Sequence, residues 1–294
     1  MKEMVAYGGQ AVIEGVMMRG KATMAVAVRD PKGQIQIHTE PLGQAYRGQF
    51  AKIPFVRGLL LLWDALGLGY RSLTYAAGVA AGEEVSFSGP IAWATVAVSL
   101  VLGLGLFFLA PAAAAQVGER LLFLSPLLGN LLEGVIRLSL IVGYIALIGR
   151  IPDIRRVFGY HGAEHKTINA FEAGAALTPD LVAGFPLEHP RCGTAFLLTA
   201  VLISIVIFSL LGPLPLALRL VSRLALIPLI AMLAYEYIRF TARHLAHPLI
   251  RALVAPNLAL QRLTTREPDR PMIEVAIAAF EAMREKENAV PIVA

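Results

Sequence analysis

Three observations predict a mainly α-helical, polytopic membrane protein with about four transmembrane helices. Hydrophobic residues make up 56% of the 294 and charged residues only 16%, for a mean hydropathy of +0.64, which is too apolar for an ordinary soluble domain. Long stretches free of charge recur along the chain. Lys and Arg are unevenly divided among the segments that join those stretches.

Residues 1–52 are predicted to be a cytoplasmic N-terminal region containing a β-hairpin. Thr23 to Arg29 alternates apolar with small or polar residues, Asp30-Pro31-Lys32-Gly33 is a turn sequence, and Gln34 to Thr39 alternates again. Ahead of this hairpin, Gly8 to Gly20 sets one acid, Glu14, among apolar residues bracketed by glycines. An acid so placed needs a partner, whether Arg19, another cation or a metal. Met1 to Gly20 lacks the charged-then-apolar layout of a cleavable signal peptide, so insertion is expected to rely on internal spans. Residues 53–90 are predicted to be an amphipathic interfacial helix region. Ile53 to Ala81 is apolar but carries Arg57, Asp64 and Arg71 one heptad apart, a narrow polar stripe that suits the membrane interface or packing across other helices.

Residues 91–149 carry the first two predicted spans. Ile91 to Ala115 has no charge and is long enough to cross a hydrocarbon core of ~30 Å at ~1.5 Å per residue. Leu131 to Gly149 is the second, with Glu133 and Arg137 four residues apart near its start, where they can pair and snorkel. Residues 195–237 carry the third, Ala195 to Leu211, and the fourth, Leu216 to Tyr235, on either side of Gly212-Pro213-Leu214-Pro215. The fourth has Arg219 and Arg223 at its beginning and Pro228 as a kink. Nine Lys and Arg precede the first span, one lies between spans one and two, five between two and three, and eight after Ile238. Basic residues concentrate on the cytoplasmic side, which predicts a multi-pass protein of the cytoplasmic (inner) membrane with both termini and residues 150–194 inside. The net charge of +5 follows from the same asymmetry. The lipid bilayer is then the expected partner, beside a substrate or protein partner that the sequence does not name, and no aromatic-basic interleaving points to nucleic acid.

The chemistry concentrates in the cytoplasmic segment 150–194. In Tyr160-His161-Gly162-Ala163-Glu164-His165-Lys166, positions i, i+3 and i+4 of a helix put His161, Glu164 and His165 on one face. His-x-x-Glu-His is the reversed zinc-protease signature, in which two imidazoles bind Zn²⁺ and the carboxylate serves as general base toward water. In the same segment, His189-Pro190-Arg191-Cys192-Gly193 sets a His and a Cys three apart in a tight turn, where both can reach one ion. Cys192 is the one cysteine of the chain, which excludes an intrachain disulfide and leaves a reduced thiol. The plainer reading makes Cys192 a small buried hydrophobe and His189 a turn residue. Further candidates are Glu14, as an extra ligand or second acid, and the pair His244 and His247, which can complete a metal site or cap helix ends. In the cytoplasmic C-terminal helices, 238–294, Ile273, Ala276, Ile277 and Phe280 mark an amphipathic helix from Pro271 to Glu287 that docks on another surface.

Four strings in order, Gly8 to Gly20, Tyr160 to Lys166, His189 to Thr194 and Gln261 to Pro268, resemble those of the bacterial YqhQ-type membrane proteins, and the resemblance spans nearly the whole chain. That family is a domain of unknown function labelled a predicted metal-dependent enzyme on the same His and Cys motifs. The resemblance therefore attaches metal dependence to His161, Glu164, His165, His189 and Cys192, and implies no substrate.

Residues and resemblance together lead to one expectation: a hydrolase-like site on the cytoplasmic face with one divalent metal, Zn²⁺. His161 and His165 are ligands, Cys192 or His189 supplies a third, and a coordination position stays open for water. Glu164 is the catalytic base, unless it binds the metal or orients an imidazole. Lys166 and Arg191 are positioned to stabilise developing negative charge. Two alternatives come from other classes. One is a scaffold with a structural metal and a partner held through the 271–287 helix, and the other is a small-solute or ion transporter.

Overall fold

The computed structural model describes residues 7–43, 53–82 and 90–289, and the side chains of 61–65, 90–93 and 289 lie outside that description. Residues 44–52 of the predicted N-terminal region and Asp64 of the predicted polar stripe thus fall outside it. The chain is mainly helical, with a small antiparallel sheet near its start. The six consecutive segments expected from sequence gather into two compact units, one of residues 1–86, 148–192 and 258–294 and the other of 87–147 and 193–257.

The first unit is built on a four-stranded antiparallel meander of β1 (Gly8–Val12), β2 (Gly15–Arg19), β3 (Thr23–Arg29) and β4 (Ile35–Pro41), in the order β1-β2-β3-β4. The predicted hairpin is β3–β4, joined by the Asp30 turn in which Asp30 Oδ1 accepts the N–H groups of Lys32 and Gln34. A second hairpin, β1–β2, occupies the stretch in which sequence suggested only a buried acid. Glu14 is not enclosed by that stretch: it sits in the two-residue turn Ile13-Glu14, in the left-handed region at φ 51°.

The alternation along β3 separates two apolar layers rather than core from water. Met24, Val26 and Val28 join Val12, Met17, Leu68 and Ala76 in one cluster, the last two from α1 (Val56–Ala81). Ala25 and Ala27 join Val16 and Met18 in another, against α5 (Pro152–Glu172) and α11 (Arg270–Ala289). Small residues on that side let a helix lie close to the sheet. The predicted C-terminal amphipathic helix is α11, and the surface it docks on belongs to its own unit. Val275, Ala276, Ala279, Phe280 and Met283 are all fully buried. The apolar face of residues 271–287 is thus covered within its own unit.

The second unit contains the candidate spans. Among the described residues, three helices are long and apolar enough to cross a membrane: Ala94–Leu122, α4 (Pro126–Ile148) and α7 (Gly193–Leu210). The number rises to four if α8 (Leu216–Ala225) and α9 (Ile227–Arg243), bent by 46°, are one span. The bend falls where Pro228 enters the first turn of α9. The first helix comprises α2 (Pro90–Leu104), a π-helical turn at Gly105–Leu109, and α3 (Ala110–Leu121).

Sequence suggested that Glu133 and Arg137 pair and snorkel; the structure keeps the pair but buries it. Glu133 is 1% exposed and receives three guanidinium groups: Arg137 at 2.7 Å, Arg219 at 3.0 Å and Arg223 at 2.8 Å. Arg219 also donates to both oxygens of Glu119 at 2.7 Å, and Arg223 to Asn130 Oδ1 at 2.8 Å while lying 4.0 Å from the Phe208 ring centre. Arg137 completes its set with Ser204 Oγ and the carbonyl of Phe107, both at 2.9 Å. Phe107 lies in the π-helical turn, where the regular ladder is interrupted and a carbonyl is open to a side-chain donor. Arg219 and Arg223, which blur the basic asymmetry in the sequence, are here each paired with carboxylate.

Candidate metal centre

The site is assembled on α5 from four residues' spacing and one missing side chain. His161 and His165 occupy i and i+4, so their rings meet edge to face on one side of the helix with centres 4.4 Å apart. Between them Gly162 admits the segment that follows α10 (Pro248–Gln261), since a Cβ there would meet the carbonyl oxygen of Arg266 at 2.2 Å. That closeness places the Thr264 carbonyl 2.9 Å from His161 Nδ1. The turn carrying Cys192 is pinned by Gln261, which is fully buried and exchanges two 2.9 Å hydrogen bonds with the N–H and carbonyl of His189. Along α5, Asn169 donates to the carbonyls of Pro186 and Glu188 and Lys166 to that of Ala183, holding the whole 183–192 loop against the helix.

These backbone contacts fix the tautomers. A carbonyl only accepts, so His161 Nδ1 and His165 Nδ1 must carry the protons that they give to Thr264 and Leu187. In the neutral form of each ring, Nε2 is then the atom with the lone pair. His161 Nε2 lies 3.3 Å from Cys192 Sγ, and His165 Nε2 is buried with no hydrogen-bond partner. One ligand atom from each of His161, His165 and Cys192 lies within 4.8 Å of the others. Two imidazole nitrogens and a thiol, with the far ring nitrogens tied to carbonyls, form a donor set that could hold a borderline-soft divalent ion.

Glu164 and His189 flank the three. Glu164 is fully buried and turns toward β1, where the Gly9 N–H donates to it, and its Oε2 has no partner. Burial pushes its carboxyl up to about 7, against a smaller opposing pull from His161. It is not among the atoms that converge, although it shares their helical turn. The His189 ring is centred 5.7 Å from that of His165, and its Nε2 lies 3.6 Å from Glu172 Oε2, longer than a hydrogen bond. Burial holds His189 below the usual imidazole range, while the arginine and histidine beside Glu172 hold that carboxyl below its own.

The remaining sequence candidates are engaged elsewhere. Glu14 takes two 2.6 Å hydrogen bonds from Arg156 and one of 3.2 Å from the Tyr160 hydroxyl, so its partner is a cation other than Arg19. His244, in the second unit, is exposed, bonds the Phe240 carbonyl at 2.8 Å and stacks on that ring. His247 accepts the Leu249 N–H and so caps α10. Neither joins the convergent group among the described residues. Lys166 pairs with Glu267 at 2.6 Å and Arg191 with Glu172. Sequence reasoning missed Gln261, Thr264, Leu187 and Glu172. For Gln261 and Thr264 the only signal was the string 261–268, whose polar residues lie at a helix end; Leu187 acts through its carbonyl, which any residue would supply.

A family model described as Protein of unknown function (DUF1385) matches residues 53–286. A relative in Bacillus subtilis (strain 168), bearing the name Uncharacterized protein YqhQ, is 33% identical over 290 residues, covering 94% of this chain and 91% of its own. No solved structure matches.

Proposed function

The chain belongs to the DUF1385 family, and on that premise we propose that it is a multi-pass protein of the cytoplasmic membrane whose first unit faces the cytoplasm and performs hydrolysis at a single Zn²⁺. The observation that carries this reading is the pair of imidazoles whose Nδ1–H groups are tied to backbone carbonyls, so that both Nε2 atoms face the Cys192 thiol, that of His161 at 3.3 Å from Sγ and that of His165 buried with no partner. A buried lone pair without a donor is costly, and a cation is the ligand that satisfies it. His161, His165 and Cys192 would hold the ion. When bound, Zn²⁺ supplies a Lewis acid and lowers the pKa of water at its open position.

The protein's own residues then divide the work. Glu164, on the same helical turn and with its carboxyl pushed up to about 7 by burial, would serve as general base by turning from the Gly9 N–H toward the ion's water. Thr264 and Leu187 orient the rings through their carbonyls and raise the basicity of Nε2. A second reading, a structural metal with four ligands, is favoured by His189, whose buried Nε2 lacks a partner near His165.

Elemental analysis of the detergent-purified chain tests the proposal. About one equivalent of Zn²⁺ is expected, lost in a His161→Ala/His165→Ala variant that stays folded. Glu164→Gln should retain the metal and abolish turnover in a substrate screen, whereas a structural site would leave function intact. A wild-type protein that stays metal-free after reconstitution with Zn²⁺ sinks both readings.

A further inference from the structure

At the start of α5 lies a cleft of about 570 Å³ ringed by Arg150, Arg155, Arg156 and Arg266, with Gly159 and Met272 as its apolar floor. Residues 152, 155, 156 and 159 follow i, i+3, i+4, i+7, one face of the helix, and His161 and His165 point from the opposite face. The cleft is therefore separate from the candidate metal centre.

Its charge is only partly balanced from within: four arginines line it against two carboxylates. The two acids that line it, Glu267 and Asp269, are engaged, the first with Lys166 at 2.6 Å and the second in capping α11 through the Met272 N–H at 2.9 Å. Arg156 is neutralised by Glu14. Arg266 gives its Nη1 to the carbonyls of Arg262 and Thr265, which carry no charge. The side chains of Arg150 and Arg155, both exposed, have no hydrogen-bond or ion-pair partner among the described residues. Three guanidinium groups thus border one cleft without a carboxylate partner, and clustered planar forks match the oxygens of phosphate.

We propose that this cleft binds a phosphate-bearing anion. Two sources share that chemistry. One is an anionic lipid headgroup: Arg150 follows the end of α4 by two residues, so in a bilayer spanned by α4 it sits at headgroup depth, and the Gly159 and Met272 floor suits the glycerol and first acyl carbons. The other is a soluble phosphate monoester.

The test is calorimetric titration of the full-length chain in neutral detergent with dihexanoyl-phosphatidylglycerol, glycerol 1-phosphate and inorganic phosphate. Saturable binding is expected, weakened about tenfold by Arg150→Gln/Arg155→Gln and unchanged by Lys32→Gln/Lys286→Gln, which removes equal charge elsewhere. Tighter binding of the lipid than of glycerol 1-phosphate assigns the cleft to a headgroup, and equal binding assigns it to a soluble phosphate. If the double arginine variant melts early, Arg155→Gln alone carries the same expectation. The His161→Ala/His165→Ala variant should bind as the wild type does, so the proposal stands or falls apart from the metal. Absence of saturable binding to all three probes, or equal loss in the lysine variant, overturns it.

Discussion

The cluster around Glu133 and the cluster around His165 are both buried, yet one closes on itself and the other does not. Glu133 accepts from Arg137, Arg219 and Arg223, and each guanidinium finds further acceptors in Glu119, Asn130, Ser204 and the Phe107 carbonyl. Around His165, buried Nε2 atoms of two rings and Oε2 of Glu164 stand without partners. Burial costs the same kind of energy in both places, so the difference lies in satisfaction. A fully paired ionic network holds helices together in an apolar setting. A network with lone pairs left over is shaped for something that arrives from outside.

The comparison can be broken most sharply at the histidines. Removing both His161 and His165 should take bound Zn²⁺ from about one equivalent to none while circular dichroism stays native, because Tyr160, Ile168 and the α11 face keep the first unit's core intact. Loss of fold together with metal would move this cluster to the structural side of the comparison. The next largest effect is expected at Glu133. Its truncation to Ala leaves three buried guanidiniums short of an acceptor and should cost about 3–5 kcal/mol in denaturant unfolding in detergent, with Glu133→Gln costing less. A neutral outcome would show that these arginines reach water.

Gly162→Ala sharpens the contrast from within the candidate site. The added methyl would press on the Arg266 carbonyl at 2.2 Å and on Leu187 at 2.8 Å, the segments that hold the two rings. Metal affinity should fall about 10–100-fold, at a stability cost of about 1–3 kcal/mol, as read by chelator competition and melting. The smallest effect is expected for the half-exposed Glu14–Arg156 pair, roughly 0.5 kcal/mol. Hydrogen bonds from Arg156 hold the Glu14 carboxyl below its usual 4.5, so its contribution is present above that pH and lost as pH falls through the lower folded-state value. The melting difference between wild type and Glu14→Gln should therefore be measurable at pH 7 and vanish in strong acid.

Much of this was legible from local pattern. Uncharged runs marked the candidate spans, the period of two in 23–29 and 34–39 marked a hairpin, and the period of 3.6 put His161 and His165 on one face. Local pattern failed where a partner came from far along the chain. Glu14 reads as a buried acid because its neighbours are apolar, but a tight turn lifts it out of their layers to meet Arg156, 142 residues away. The strand 23–29 reads as half-exposed, yet both its faces are covered, by α1 and by α5 with α11.

The sequence by itself determined the helical class, the apolar helices, the reach of His161 toward His165 and the reduced state of Cys192, because each depends on residue type and short-range periodicity alone. Only the tertiary structure decided that Cys192 closes on those rings, that Thr264 and Leu187 set their tautomers, and that three arginines converge on Glu133. Hydrogen bonds and ion pairs act over about 3 Å of space, whatever the distance along the chain, and folding chooses which groups come within it.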